Sequence, residues 1–397
     1  MLTMLKGISQ LKLFNLRPGL IIILLLVLLS TCVEPFEPED PGFKSVLVVD
    51  GFISNSAEPY TITLSRTAPL SSPGALPEAG AAVSVADEEG GVYLFGETAP
   101  GVYQSDPRVF VGHVGAGYQL NIVTASGEQY QSDTVPLKQS PPIDSVYYER
   151  ELRLTDVEGE VNDGISIFVD AHDSTGQTRF YRYDYTETYE VKLTYPGEWV
   201  YDPSQDANVI RNPKLGLCYA THPGGNILVA NTSSYAEDRV KKLEVTYVST
   251  GGYKLSGLYS ILVKQYALSE PSYRYWYELQ KTSESLGTLF DPQPYEIRGN
   301  IRKVNDPETA VLGYFDAGAV SEKMLFVDKV TLLGMDIQYP TDPCIARLGY
   351  PPTAVEFGLY QQWGYLITAV EPYVMIPAEC GDCRYHGTLE KPAFWPR

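Results

Sequence analysis

Two cysteines near the C-terminal end have a spacing found in metal sites and redox centres. Cys380 and Cys383 enclose two residues, and His386 follows three positions later. Thiolates and an imidazole at this spacing can bind zinc, but the pattern lacks the thioredoxin-like strand and helix of a redox centre. With Cys218 and Cys344 they form an even set of four. In an exported chain such a set favours disulfides over zinc, and three pairings are possible.

The remaining residues capable of catalysis follow no recognisable catalytic pattern. Neither a Gly-x-Ser-x-Gly elbow nor an HExxH zinc motif is present, and both would be expected signatures of common hydrolases. The histidines lie far apart in the sequence: His113, His172, His222 and His386. We therefore expect no enzyme, no catalytic residues, no bound metal and no cofactor.

One turn has oxygen atoms that a cation could use. The segment from Asp170 to Gly176 places carboxylates and hydroxyls close together. Calcium binds such oxygens, but the other ligands of a recognised calcium loop are missing from the sequence. We favour a hairpin turn solvated by its own acidic side chains, with calcium as the alternative.

The N-terminus has the three parts of a secretory signal. Basic residues precede an unbroken run of ten apolar residues, Leu20–Leu29. That run is shorter than the roughly 20 residues that span a bilayer, but it suits the core of a signal peptide. It ends at Leu-Ser-Thr-Cys32, which is similar to a lipobox. We expect residues 1–31 to be removed and lipid to be attached to Cys32; an ordinary cleaved signal and an uncleaved anchor are the alternatives.

The charge of the chain limits its partners. The net charge is −19, and removal of residues 1–31 makes it −22, because that segment has three basic residues and no acidic one. Such a chain is repelled by phosphate backbones, so we exclude nucleic acid as a partner. Attachment to a membrane then depends on the lipid anchor. Residues 32–44 contain three prolines and four acidic residues, which predicts an extended tether.

Beyond the tether, the sequence predicts a predominantly all-β protein. Short alternating runs separated by turns such as Asp87–Gly91 predict an immunoglobulin-like β-sandwich over residues 45–140. Pro141 and Pro142 interrupt this pattern, and we place a domain boundary there. Residues 141–397 predict a larger, strand-rich β domain with disulfides and one helix.

Tyrosine is frequent, with 30 residues in the chain. The alternation of the segment 180–191 predicts a long strand with four tyrosines on one face: Tyr181, Tyr183, Tyr185 and Tyr189. Tyrosines pack well in cross-strand pairs, and they also supply contact area for sugars, peptides or proteins. We expect most individual tyrosines to be packed and some of the set to form a binding surface.

One segment predicts an amphipathic helix, over about 269–286. It begins with Ser269, Glu270 and Pro271, a cap followed by residues that suit a first turn. Four residues share one face of this helix: Tyr273, Trp276, Tyr277 and Gln280. We expect this face to pack on a sheet, and contact with a ligand is the alternative.

Several longer motifs occur in a characteristic order. They are CVEPF at 32–36, PPIDSV at 141–146, ILVKQY at 261–266, SEPSYRYWYELQK at 269–281, LFDPQPYEIRGN at 289–300, VLGYF at 311–315, CGDCR at 380–384 and KPAFW at 391–395. Together they resemble the Bacteroidota lipoprotein family known as domain of unknown function 4249, over nearly the whole mature chain. The resemblance implies an outer-membrane lipoprotein, often encoded beside a TonB-dependent transporter of the starch-utilisation type. It implies no known reaction.

The acidic residues of the tether also look like the tract that directs lipoproteins of these bacteria to the cell surface, although a solvated linker would have the same composition. The leading hypothesis is therefore a surface-exposed, non-enzymatic lipoprotein that captures substrate for a TonB-dependent transporter, with a small-molecule, peptide or glycan ligand. An envelope scaffold or adhesion module without a small-molecule ligand is the alternative. The sequence does not identify the binding residues.

Overall fold

The structure is a computed structural model. It describes residues 43–69, 74–155, 161–194, 196–197, 199–202, 204–205, 207–210, 214–285, 297–332, 334–335, 365–367 and 375–396. All that follows concerns the compact unit formed by Val46–Thr67 and Ala75–Arg397. The predicted signal peptide, Cys32, Cys344 and most of the predicted tether lie outside the described residues. Within the described ranges, no helix combines the length and the apolar character needed to cross a bilayer.

Strands dominate the described residues, which confirms the predicted all-β class. The first strands are β1 (Leu47–Ile53), β2 (Thr61–Arg66), β3 (Leu76–Pro77), β4 (Ala82–Asp87), β5 (Val92–Ala99), β6 (Val102–Gln104), β7 (Gly117–Val123), β8 (Gln129–Ser132) and β9 (Val135–Pro136). The next are β10 (Ile143–Leu154), β11 (Val161–His172), β12 (Phe180–Lys192), β13 (Trp199–Asp202), β14 (Ala207–Ile210), β15 (Leu217–Pro223), β16 (Leu228–Asn231), β17 (Arg239–Ser249) and β18 (Tyr259–Ala267). The last are β19 (Ile301–Lys303), β20 (Val311–Ala317), β21 (Val320–Val327), β22 (Tyr365–Ile367) and β23 (Met375–Pro377). Among the described residues, the α-helices are α1 (Glu270–Ser285) and the single turn α2 (Ala378–Gly381).

The N-terminal strands form one curled sheet. Its main path runs β19-β8-β7-β4-β5-β6-β2-β1-β20, with β3 on β2 and β9 on β7. Buried residues alternate with more exposed ones along β1, β2 and β4, as expected for strands with one face on a core. The buried residues from both ends of the path belong to one hydrophobic cluster, so the sheet curls around a single core.

Two strands of this sheet come from a distant part of the chain. β20 pairs in parallel with β1, from Leu47 opposite Val311 to Ile53 opposite Ala317. β19 pairs with β8, where Lys303 and Arg66 lower the pKa of the Glu128 carboxyl to about 2. From the sequence, we placed residues 301–317 in the larger domain. Their pairing with β1 and β8 was not predicted, because strands so far apart in the chain leave no local pattern. The boundary at 140 and 141 stays a prediction.

The following strands form a β-sandwich. One sheet has the order β10-β11-β17, and the other has the order β15-β12-β18-β21 with β16 also on β12. The predicted tyrosine face of β12 is confirmed: Tyr181, Tyr183 and Tyr185 are buried between the sheets, and Tyr189 packs at the margin of that core. A separate small sheet has the order β14-β13-β22-β23.

The segment that leads from the curled sheet into the sandwich is held by buried hydrogen bonds. Gln265 is fully buried, and its Nε2 donates to the Pro141 carbonyl at 2.7 Å. Tyr183 in turn donates its hydroxyl to Gln265 Oε1 at 2.8 Å, and Thr178 donates to the Gln139 carbonyl at 2.7 Å. Satisfied buried polar groups of this kind specify one arrangement, because any other leaves them without partners.

Helix α1 packs beside this junction through part of its predicted aromatic face: Tyr273 and Trp276 make contacts, whereas Tyr277 is 38 % exposed. The Ser269 hydroxyl caps it by accepting the Ser272 N–H at 3.2 Å. Trp276 Nε1 donates to Asp316 Oδ2 at 3.2 Å, and the Ser272 hydroxyl donates to Asp316 Oδ1 at 2.8 Å. Tyr273 contacts the Phe180 ring. Burial raises the pKa of the Asp316 carboxyl, while these donors and Arg182 act in the opposite direction.

Arg182 connects the helix to both β bodies. Its guanidinium lies over the rings of Trp276, Tyr266 and Phe52, at 4.3, 4.6 and 5.6 Å from their centroids. Its Nη2 donates to Asp184 Oδ2 at 3.1 Å. The charge of Arg182 therefore faces protein groups, and the residue has a structural role. A guanidinium over desolvated rings contributes about 2 kcal/mol or more.

A disulfide attaches the C-terminal segment to the sandwich. Cys218 on β15 is bonded to Cys383, with Cα atoms 5.5 Å apart. Backbone hydrogen bonds between Tyr219 and Thr388, at 2.8 and 2.9 Å, continue this attachment. Disulfides that close long loops typically stabilise by about 2–4 kcal/mol.

The parallel pairing predicts a strict need for glycine at 313. Gly313 has a φ of 91°, and a Cβ there would lie 1.8 Å from the Val49 carbonyl oxygen. We expect Gly313→Ala to lower the free energy of unfolding by at least about 3 kcal/mol, since backbone strain and a backbone clash add. Urea denaturation measures this change.

Gly115 provides the matched control. It has the same φ of 91°, but a Cβ there meets no atom within 4 Å. Gly115→Ala should therefore lose only the backbone term of about 1–2 kcal/mol. Equal losses for the two variants would contradict the proposed clash with Val49.

Candidate binding surface around the Tyr235 loop

The cysteine pair that suggested zinc is used in disulfides. Cys383 is bonded to Cys218, and Cys380 is also disulfide-bonded. A sulfur in a disulfide is not a thiolate ligand, so the disulfide interpretation is confirmed for these cysteines over zinc. His386 instead has its Nε2 3.0 Å from the Glu379 carbonyl oxygen. Within the described ranges, His, Cys, Asp and Glu form no group of three or more that could hold a metal ion.

The structure does not bring the histidines together. His172 pairs with Asp144, with Nδ1 2.7 Å from Oδ2. His222 stacks on the Tyr189 ring at 5.9 Å, and His113 donates its backbone N–H to the Tyr118 hydroxyl. These contacts place each imidazole in a separate part of the structure.

The turn that suggested calcium uses its central carboxylate internally. Asp173 Oδ1 accepts the N–H and the hydroxyl of Thr175, at 2.9 and 2.6 Å. Its Oδ2 accepts the N–H groups of Gln177 and Thr178, at 3.0 and 3.1 Å. Burial acts to raise the pKa of Asp173, but these hydrogen bonds outweigh it and lower that pKa. The arrangement is that of a self-satisfied turn.

Next to this turn, the loop between β16 and β17 presents an exposed aromatic ring. Tyr235 is 64 % exposed, although its backbone is fixed. Arg179 Nη1 donates to the carbonyl oxygens of Tyr235 and Thr232, at 3.2 and 3.3 Å. Its Nε donates to the Gly176 carbonyl at 3.4 Å. One guanidinium therefore joins the loop to the neighbouring turn.

Asp238 holds the C-terminal end of the loop from its buried side. Its side chain is almost fully buried; its Oδ1 accepts the Thr232 hydroxyl and its Oδ2 lies 2.8 Å from the Tyr181 hydroxyl. Burial and this carboxylate raise the pKa of Tyr181. These contacts hold the backbone of the loop at Tyr235 before any ligand arrives, which reduces the backbone entropy lost on binding.

Two surface depressions flank this loop. One has a volume of ≈ 470 Å³ and is lined by the 172–176 turn, Arg179 and 236–239. The other has a volume of ≈ 480 Å³ and is lined by 229–232, Tyr235 and 239–244. Both volumes fall within the roughly 300–1,000 Å³ typical of ligand sites. Another depression, of ≈ 350 Å³ beside Arg302, is lined by no aromatic residue.

The second depression is basic in a strongly acidic chain. Arg239, Lys241 and Lys242 line it together with one carboxylate, Glu244. Lys242 Nζ lies 2.6 Å from Glu149 Oε2. β17 is an edge strand, and lysines on such a strand also prevent edge-to-edge pairing. The strand is irregular at Lys242, which has a φ of 51°. The same residues can donate hydrogen bonds to oxygen atoms of a ligand.

Comparison with known proteins identifies the family. The family described as Domain of unknown function (DUF4249) matches residues 33–324. The chain belongs to this family. The resemblance to this domain family is thereby confirmed over residues 33–324, a region that contains the Tyr235 loop and both depressions. No curated protein matches the chain.

For this DUF4249 member, sequence reasoning predicted a tyrosine-containing binding surface but not its residues. Tyr235 lies in the run Asn231-Thr-Ser-Ser-Tyr-Ala-Glu-Asp238, which has no alternation and reads as a loop. A lone aromatic residue among small and acidic residues was the available signal. Its fixation by Arg179, Asp238 and Tyr181 depends on long-range contacts.

The hydrogen bonds of Asp238 allow a test of what holds the loop in place. The Tyr181 hydroxyl has one proton but faces two acceptors, the Thr178 carbonyl at 2.6 Å and Asp238 Oδ2 at 2.8 Å. An amide at 238 could donate to the Tyr181 oxygen, so Asp238→Asn should retain the loop. Asp238→Ala should lower the free energy of unfolding by about 1–3 kcal/mol.

Hydrogen–deuterium exchange of 232–238 is the direct readout. Exchange should accelerate in Asp238→Ala and stay near wild type in Asp238→Asn. Faster exchange in both variants, to the same extent, would contradict this hydrogen-bond scheme.

Proposed function

We propose that this chain is a non-enzymatic lipoprotein of the outer membrane, displayed at the cell surface, that captures a ligand for a TonB-dependent transporter. The observation that carries the binding role is Tyr235, an exposed aromatic ring on a fixed loop between two depressions. Rigid aromatic side chains supply large contact area at low entropic cost. The ligand is a small molecule, a peptide or a glycan.

Three charged groups of this surface are engaged in holding the loop and the neighbouring turn. General acid–base work needs a group that is free to transfer a proton to the substrate. Here Asp173 accepts hydrogen bonds from its own turn, Asp238 is buried under the loop, and Arg179 donates to backbone carbonyls. These three groups line the first depression and shape the surface, while Tyr235 faces solvent.

The lipid anchor and the transporter are supported by the sequence and the family. The apolar run before Cys32 and the acidic, proline-containing segment 32–44 favour a lipid-anchored protein on a tether. Membership of DUF4249 supports the transporter, because the resemblance implies a gene often located beside one. An envelope scaffold is the competing function, and it would have no saturable ligand.

Affinity purification from detergent-solubilised outer membrane tests the partnership. The full lipidated chain should recover a TonB-dependent transporter in near-stoichiometric amount. Cys32→Ala should abolish lipidation and thus reduce recovery from the membrane fraction, and mass spectrometry of the mature N-terminus checks this. Recovery of the chain without a transporter would contradict the proposal.

A second experiment tests the surface itself. The chain is screened against defined sets of oligosaccharides and peptides, and at least one should bind saturably. Tyr235→Ala should weaken that binding about tenfold or more, because a stacked aromatic side chain at a hot spot contributes at least about 1–2 kcal/mol. Its melting temperature should not change, since the ring is exposed.

Tyr385→Ala is the matched control, because Tyr385 is 63 % exposed and lies outside both depressions. It should bind like wild type. Saturable binding that survives Tyr235→Ala would place the ligand elsewhere, and the lack of any saturable ligand would favour the scaffold.

A further inference from the structure

The second depression, which Tyr235 lines, contains a strained backbone position. Lys242 has a φ of 51°, and within the described ranges no other residue except glycine has a positive φ. The Lys242 N–H donates to Asp170 Oδ1 at 2.6 Å, and this hydrogen bond holds the strained conformation. Such strain persists only where the surrounding contacts impose it, and it concentrates at functional sites.

The strain accompanies a β-bulge that exposes two consecutive lysines. The pairing of β17 with β11 shifts by one extra residue between Val240 and Leu243. Both of these residues pack against the core of the sandwich, whereas Lys241 and Lys242 between them are exposed. A regular strand would turn one of two consecutive side chains inward. The bulge therefore lets both lysines line the depression.

Two charged side chains of this depression already have partners of opposite charge. Lys242 pairs with Glu149, with Nζ 2.6 Å from Oε2. Glu244, whose carboxylate is the one acidic group of the lining, pairs with Arg153. The carboxylate that could repel an anionic ligand is therefore neutralised by an arginine of the protein.

The other two cations of the depression remain open to a ligand. Arg239 Nε lies 3.5 Å from Oε2 of Glu237, whose side chain is 79 % exposed, and an exposed pair of this kind holds its partners weakly. Lys241 forms no ion pair with any residue that the structure describes. An ammonium and a loosely held guanidinium therefore line the same depression as the Tyr235 ring.

A single carboxylate matches these two cations. A guanidinium fork and an ammonium both donate charge-assisted hydrogen bonds to carboxylate oxygens. A ligand with many negative charges is disfavoured, because the chain itself has a net charge of −19 and repels polyanions. The exposed Tyr235 ring offers a flat apolar surface with a polar tip. The ligand should thus combine one carboxylate with a ring that can lie against the tyrosine.

The irregular edge of β17 makes an extended peptide a poor occupant. β17 is the last strand of its sheet, and peptides commonly add to such an edge through main-chain hydrogen bonds. The bulge at Lys241 and Lys242 interrupts the regular ladder that this addition requires. A saccharide needs no ladder, because its hydroxyl groups and ring faces contact side chains individually.

We propose that the second depression binds a saccharide that carries a single carboxylate, with a sugar ring against Tyr235 and the carboxylate held by Lys241 and Arg239. The inference names the ligand class of the Tyr235 surface and rests on the proposed function of ligand capture. Arg239 also lines the first depression. Neutral sugar units adjoining the acidic one therefore extend towards that depression.

Calorimetric titration with matched saccharides tests the proposal. The full chain is titrated with neutral oligosaccharides that carry one hexuronic acid unit, and with the same oligosaccharides after reduction of that carboxyl group to the alcohol. The acidic form should bind at least about tenfold more tightly, because its charged hydrogen bonds are lost on reduction. Lys241→Gln should weaken binding of the acidic form about tenfold and leave binding of the reduced form unchanged.

Two further variants control for charge and for folding. Lys241→Arg keeps a cation at this position, so it should retain the preference for the acidic form. Lys214→Gln is the matched control, because Lys214 is exposed and lies outside both depressions; it should bind both forms like wild type. Equal melting temperatures would show that all variants fold.

The outcomes separate this inference from the proposed function. Equal affinity for the acidic and the reduced forms would overturn the carboxylate contact, and so would an equal loss of both in Lys241→Gln. Saturable binding of other ligands, but of no acidic saccharide, would overturn the ligand class. In these cases ligand capture stands if Tyr235→Ala weakens binding of the ligand that is found. The lack of any saturable ligand would overturn the proposed function and this inference with it.

Discussion

The arrangement of the two β bodies depends on the continuous segment Val311–Val327, which supplies a strand to each. Its first strand pairs with β1 in the curled sheet, and its second pairs with β18 in the sandwich. At the corner between them, Gly318 donates its N–H to the Ile53 carbonyl at 3.0 Å. A Cβ at that glycine would lie 2.1 Å from the Ala267 carbonyl oxygen, so the two bodies meet there at backbone contact distance. Trp276 and Ser272 then fix the helix onto the buried carboxylate just before this corner.

Local patterns in the sequence were sufficient for the elements but not for their partners. The alternation of 180–191 and the Ser269 cap predicted a strand and a helix that the structure has, since both depend on neighbours in the chain. The pairing of 311–317 with 47–53 was missed because no short-range pattern encodes it. The same limit applies to Cys218 and Cys383, for which the sequence left three pairings open. Tyr235 could not be singled out among 30 tyrosines, because its exposure depends on the distant Arg179 and Asp238.

The proposed binding surface around the Tyr235 loop combines one exposed ring with charged and hydrogen-bonding side chains around open depressions. This composition suits a ligand that is bound and released rather than one that is permanently enclosed.

The parallel pairing of β1 with β20 also determines when the protein can finish folding. Because a chain is synthesised from its N-terminus, Leu47–Ile53 emerges long before Val311–Ala317. During that interval β1 has an open edge, and open edges invite association with other chains. Strand β20 therefore completes this sheet late in the chain, and a chain truncated before residue 311 would keep an unpaired edge on β1.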